Sequence, residues 1–246
     1  MTAAGAHGAH SGPTAQRRIF FALWGTQRFC QRLAAVAAPM LAAVPGRPVV
    51  PADWHVTLCF LGAVNEQVLA SLRALAGQLE ARAFALQFDG IEYWRQARVI
   101  AATAATVPQA AQDLAVALRG LARSAALSPD ERPLRPHVTL MRGVSAPAWR
   151  AFCNGATGAV GGAAPEGHGL AAGWAAPGQR GLTELALEAR ELHLAESVRL
   201  ADDPAAPAGR AAAGRSEGAR RYVTLAHWPL RTSERCTLAD SRPRHL

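Results

Sequence analysis

The stretch Trp54-His55-Val56-Thr57-Leu58-Cys59-Phe60 decides how this chain is read, because its central tetrapeptide recurs verbatim as His137-Val138-Thr139-Leu140, 82 positions further on. The flanks repeat as well. Pro and Arg lie upstream of each copy; Gly62-Ala63-Val64 follows the first and Gly143-Val144 the second. A duplicated unit with one copy in each half of the chain accounts for both. In a strand, His and Thr of each copy project from one face while Val and Leu project from the other. Val and Leu would bury the strand against helices, leaving two imidazoles and two hydroxyls on open faces.

Two imidazoles and two hydroxyls suit in-line displacement at phosphorus. A neutral imidazole removes a proton from the incoming water or hydroxyl, and a protonated one donates to the departing oxygen. An ordinary histidine pKa of about 6.5 lets both forms exist near neutral pH. Thr57 and Thr139 can donate to the non-bridging oxygens. Arg142, five residues past His137, offers a permanent charge and a planar fork to the same anion. Attacking and leaving oxygens lie on opposite sides of phosphorus, so histidines from separate halves make chemical sense.

The periodicity predicts strands at 18–24, 54–60 (closed by Gly62), 84–94, 98–103, 137–141 and 222–230, with one or two more within 182–200. Helices are predicted from the Thr26 cap to about Ala37, where Pro39 would end them, over 65–80 with Asn65 as cap, and over 108–126. Residues 154–169 read as Gly-rich loop, 201–218 as a flexible Arg-containing insertion, and 1–16 and 232–246 as tails around a domain spanning 17–231. Strands and helices interleave in both halves, which indicates an α/β or α+β domain.

Composition narrows the chemistry further. All 26 basic residues are arginine, against 18 acidic ones, for a formal charge of +8. With no lysine there is no P-loop lysine, Schiff base or lysyl-nucleotide intermediate, and ligase or kinase chemistry of those kinds is excluded. The positive balance favours polyanions such as nucleic acid. Four separated cysteines, Cys30, Cys59, Cys153 and Cys236, form no C-x-x-C pair, consistent with a reduced cytoplasm. The longest apolar stretch, Leu33–Val44, is too short for a membrane span.

The paired H-x-T-h motifs with the following arginine resemble those of the 2H phosphoesterases, closest to the bacterial RNA 2′,3′-cyclic phosphodiesterase (2′-5′ RNA ligase) branch. Supporting stretches are Arg18–Leu23, Gly46-Arg-Pro-Val, Phe60-Leu-Gly, Arg98-Val-Ile, Arg135-Pro-His-Val-Thr-Leu and Tyr222…Leu225…Trp228-Pro-Leu. Together they cover residues 17–200 and 219–230. The resemblance implies an α+β, bilobal fold with two pseudo-symmetric antiparallel sheets facing a central cleft and helices outside. It also implies His55 as proton donor and His137 as proton acceptor. The implied reaction opens a 2′,3′-cyclic phosphate on RNA to a 2′-phosphomonoester, with 2′-5′ ligation as its reverse. No cofactor or metal is implied, and the expected form is a cytoplasmic monomer whose partner is RNA. The chain departs from the family pattern at Trp54, at Ala101 and in the 201–218 insertion.

Other residues carry weaker signals. Phe21 or Trp94 can stack on a nucleobase, although aromatics at such positions are more often core. Zinc is disfavoured, since each strand offers one imidazole and no acidic or thiol ligand follows at suitable spacing. Cys59 lies roughly 13 Å along the strand from His55 and reads as packing. His168, His193, His227 and His245 stand outside any motif, and Arg210, Arg215, Arg220 and Arg221 read as a solvated run. Two rivals share these features: a phosphodiesterase for another cyclic or 2′-5′-linked nucleotide, and a catalytically idle RNA-binding module.

Overall fold

The apolar run near the N-terminus forms β1 (Arg17–Trp24), with Ile19 to Leu23 buried on both faces. The computed structural model that shows this describes residues 16–156, 185–199 and 220–232. All but one residue of each predicted tail (1–16 and 232–246), most of the 154–169 loop and the 201–218 insertion lie outside the described residues.

Thr26 caps α1 (Gln27–Ala43), its hydroxyl accepting the Phe29 N–H at 3.2 Å. The helix buries Phe29, Leu33, Ala37 and Met40, and it does not stop at Pro39. An interior proline costs about 3 kcal/mol, but Met40 and Val44 beyond it are almost fully buried. Each such side chain recovers about 1.5–3 kcal/mol, so the last turn persists and closes through Val44 N–H to the Met40 carbonyl.

Then follow β2 (Arg47–Pro48), a single 3-10 turn at Pro51–Asp53, and β3 (His55–Val64). Trp54, between turn and strand, is fully buried and donates its indole N–H to the Val49 carbonyl at 3.0 Å. Gly62 does not close β3. With φ at +81° it sits where the pairing with β1 jumps from Ile19–Gly62 to Phe20–Phe60, so it bulges the strand. Asn65 caps α2 (Glu66–Ala76), which ends at Gly77, earlier than its leucine spacing implied.

The expected strand over 84–94 is two strands, β4 (Phe84–Phe88) and β5 (Gly90–Trp94). Asp89 makes the corner: its carboxylate accepts the Ala105 N–H and its own N–H donates to the Thr103 carbonyl. Next come β6 (Val99–Thr103), α3 (Gln109–Ser124) with Leu114, Leu118 and Leu121 buried, and β7 (His137–Arg142). A helix that the sequence reading missed, α4 (Ala146–Ala156), extends over Asn154 and Gly155. Ser145 caps it by accepting the Ala148 N–H. The chain ends in β8 (Leu185–Ala189), β9 (Glu191–Arg199) and β10 (Arg220–Pro229).

The sheets are antiparallel, as expected for an α+β chain. One runs β10-β9-β1-β3-β7-β6-β5 with β2 added beside β7, and β4 pairs separately with β8. The two halves of the larger sheet meet at a single pair, Val56 with Val138. These are the same position of the repeated tetrapeptide, so an antiparallel contact between them defines a local two-fold axis. The duplication extends outward from there. In β1–α1–β3 the pairing skips Leu58, and in β6–α3–β7 it skips Leu140, the same motif position. Gly62 and Gly143, the only described glycines with positive φ, follow the two motifs. Helix α3 packs against β3 while α1 packs against β7, so each half covers the other and one apolar core serves both. Among the described residues, no helix is long and apolar enough to cross a membrane.

Candidate active site

Val56 and Val138 point into the core, which turns His55, Thr57, His137 and Thr139 to the opposite face. The antiparallel contact at Val56–Val138 brings His55 and Thr57 of β3 to the same seam as His137 and Thr139 of β7. The two histidines thus flank the Val56–Val138 contact from opposite strands, near enough for the charge of His137 to act on His55.

Both rings are held in the same way. His55 Nδ1 lies 2.7 Å from the Asp53 carbonyl, and His137 Nδ1 lies 2.8 Å from the Arg135 carbonyl, each two residues upstream. A carbonyl only accepts, so Nδ1 carries the proton and Nε2 is the nitrogen left free in the neutral ring. The prolines explain the local geometry. Pro51 begins the turn that presents the Asp53 carbonyl, and Pro136 holds Arg135 extended.

The surroundings of the two rings differ. His55 is walled by Trp24, stacked at 5.0 Å, by Phe20 at 5.1 Å and by the edge of Tyr222 at 4.5 Å. This burial is the main reason its pKa falls from 6.5 to about 4; the Asp53 carbonyl opposes the shift, and the charges of Arg142 and His137 add to it. His137 is also pushed below 6.5, chiefly by burial. The Arg135 carbonyl and Glu92 oppose that shift, and the charges of Arg135 and Arg142 reinforce it. Aromatic walls in place of water around His55 therefore favour the neutral ring, against the ordinary histidine value of about 6.5.

Arg142 is carried by β7 together with His137, yet its guanidinium donates to the Tyr222 hydroxyl at 3.3 Å. Tyr222 stands against His55, so this arginine is brought to the seam between the two motifs. Phe21 is placed elsewhere. It is fully buried in the core against Trp228, and its neighbour Phe20 takes the face shared with His55. Alternation along β1 makes these alternatives exclusive, so Phe21 is not available to a base. Trp94 does lie at the site, 4.5 Å from the His137 ring.

The sequence reading missed Phe20, Trp24 and Tyr222 around His55, and Glu92 and Arg135 around His137. Glu92 accepts from Trp94 Nε1 at 2.7 Å, from the Thr103 hydroxyl at 3.2 Å and from the Arg135 guanidinium. Arg135 in turn lies over the Trp94 ring, 4.8 Å from its centre. Replacing Glu92 by alanine should leave the Trp94 N–H and the Arg135 guanidinium without this acceptor, while Thr103 keeps the Gly90 carbonyl, costing about 1–3 kcal/mol of stability, readable by urea denaturation. Among the described residues, no three His, Cys, Asp or Glu side chains cluster so as to hold a metal ion. A recess of about 400 Å³ lined by Trp24, Gln27, Gln31 and Pro51 adjoins Trp24 and includes none of the motif residues.

Comparison with known proteins gives a consistent picture. The profile of the family described as "LigT like Phosphoesterase" matches residues 26–101. The RNA 2′,3′-cyclic phosphodiesterase of Escherichia coli (strain K12) is 31% identical over 129 residues, covering 52% of this chain and 73% of that protein. Among solved structures, E. coli LigT complexed with 3′-AMP superposes with a TM-score of 0.60 at 24% identity, over 87% of this chain and 98% of the other. A Thermus thermophilus protein, TT0787, gives 0.58 at 22% identity, over 88% and 100%. At these identities the structures speak to the fold.

Proposed function

Because the chain belongs to the LigT-like phosphoesterase family, enzymes that hydrolyse phosphodiester bonds, we propose that it opens 2′,3′-cyclic phosphates at RNA or nucleotide ends to 2′-phosphomonoesters by two-histidine acid–base catalysis. The observation that carries this reading is the two-fold pair of imidazoles, each with Nδ1 engaged by the carbonyl two residues upstream, which makes Nε2 the nitrogen that exchanges a proton. His137 takes a proton from water as its oxygen bonds to phosphorus; the bond from phosphorus to the 3′ oxygen breaks, and His55 gives that oxygen its proton. Thr57, Thr139 and Arg142 hold the non-bridging oxygens. With the 5′-hydroxyl of a second RNA attacking in place of water, the same geometry makes a 2′-5′ linkage without ATP. In this reading the enzyme is a metal-independent cytoplasmic monomer, and it acts from residues 17–231.

A bound phosphate anion supplies the negative charge that His55 lacks in the free protein. Binding substrate therefore raises both imidazole pKa values and draws in the proton that the donor needs. Hydrolysis of adenosine 2′,3′-cyclic phosphate in excess EDTA, with the product identified by phosphorus NMR, tests the proposal. The expected product is the 2′-phosphate at an undiminished rate. A 3′-phosphate would refute the regiochemistry, and loss of turnover on chelation would refute the metal-independent mechanism.

A further inference from the structure

Two histidines outside the motifs share the face of His55. In register, Ala22 of β1 pairs with Thr57 on one side and with His193 of β9 on the other, and His193 pairs with His227 of β10. Leu192 and Leu194, flanking His193, are buried in the core. His193 therefore projects with Thr57 and His55, above a floor formed by Phe20, Ala22 and Ala195. The rings follow one another outward: Trp24 is 5.0 Å from His55, His193 is 5.3 Å from Trp24, and His227 is 5.8 Å from His193. From β3 to β10 is three strand spacings, roughly 14 Å, more than one stacked nucleotide occupies.

We propose that His193 and His227, continuing from Trp24, form a stacking subsite for the nucleotide 5′ of the terminal cyclic phosphate, so that the enzyme prefers an RNA end to a mononucleotide. This rests on the cyclic phosphodiesterase reading above. Aromatic rings spaced along a strand-binding surface accept bases of any sequence through their π faces. Glu191 decides between base and phosphate as the occupant. Its carboxylate lies 3.6 Å from His193 Nε2 and 3.9 Å from His227 Nδ1. That negative charge repels a phosphate while accepting the exocyclic amine of a base. Burial, the main influence, holds the His193 pKa below 6.5, opposed by Glu191 and reinforced by His227, which favours a neutral stacking ring over a cationic anchor at pH 7.

The test compares kcat/KM for adenosine 2′,3′-cyclic phosphate with that for an adenosine trinucleotide ending in the same cyclic phosphate. Wild type should favour the trinucleotide by roughly tenfold or more. His227→Ala, at an exposed position, should lose severalfold of that ratio, and His193→Ala with His227→Ala should bring it near one. His193→Phe should keep it, since a phenyl ring stacks. A wild-type ratio of one, or a ratio that survives the double substitution, overturns the subsite while leaving the phosphodiesterase reading intact. A loss shared equally by both substrates also overturns it, as that would mean damage to the sheet. If wild type hydrolyses neither substrate, the phosphodiesterase reading fails. Anisotropy of a labelled trinucleotide carrying a 2′-phosphate then decides the subsite: weaker binding by His227→Ala supports it, and equal binding refutes it.

Discussion

His137→Ala should lower kcat/KM by roughly 10²–10⁴-fold, the range that one positioned proton carrier contributes, and removing the His55 ring should cost a comparable factor. The two losses are not expected to multiply. In-line displacement takes a proton from the attacking oxygen as it gives one to the leaving oxygen, so with one carrier gone the other has less to do, and the double variant should lie near the poorer single one. The two positions call for different controls. The His137 ring sits beside Trp94 at the start of β7, and alanine there keeps the strand. His55 packs among Phe20, Trp24 and Tyr222, so alanine would also open a cavity. His55→Asn is the better probe, because its amide can still donate to the Asp53 carbonyl while carrying no titratable proton. Steady-state rates, read beside thermal unfolding of each variant, check both points. Activity within tenfold of wild type in either folded variant would remove that histidine from the proton path.

What the sequence reveals about this fold is what local chemistry encodes twice. The repeated tetrapeptide located both central strands, and the self-pairing of Val56 with Val138 is the geometric form of that repeat. Thr26 and Asn65 announced their helices, since a cap needs only a side-chain oxygen and the backbone three residues on. Tertiary packing overrode local signals elsewhere. Pro39 is a breaker only where nothing beyond it is worth burying. The split between β4 and β5 was legible in Asp89-Gly90, a turn dipeptide within 84–94; that β4 leaves to pair with β8, about 100 residues away, was not. Phe20 and Phe21 are adjacent aromatics, and only the register against β3 says which one faces His55; a shift of one residue exchanges them. The roles of Tyr222 and Glu92 were unreadable for a similar reason, because each reaches a histidine from a distant strand. The Ser145 and Pro147 pair before Trp149 was a legible start for α4 that the Gly-rich segment after it obscured.

The pH dependence should separate free from substrate-bound enzyme. Hydrolysis needs one proton shared between the two imidazoles. In the free protein, burial holds His55 at about 4 and His137 below the ordinary 6.5, so the window in which one imidazole carries a proton lies below neutral pH. Above that window the singly protonated fraction falls about tenfold per pH unit, so kcat/KM should decline steeply through neutral pH. The bound phosphate stabilises the imidazolium form at both sites, so the descending limb of kcat should lie at higher pH than that of kcat/KM. Coincident limbs, or a flat profile from pH 5 to 9, would contradict the scheme. Folding stability gives an independent reading of the same burial. Native His55 refuses a proton that the unfolded chain accepts below an ordinary pKa of about 6.5, so the unfolded state binds more protons and stability falls as pH drops towards 4. For a folded pKa of about 4, the loss relative to pH 7 is about 2 kcal/mol at pH 5, and His137 adds to it in the same direction. Urea denaturation at pH 7 and pH 5 should show this loss in wild type and a smaller one in His55→Asn. Saturating inorganic phosphate at pH 5 should restore most of it, because the anion binds the protonated pair that the empty site disfavours. An unchanged pH dependence in His55→Asn would mean that water reaches the ring past Trp24 and Tyr222, and that proton uptake on binding is not built into this site.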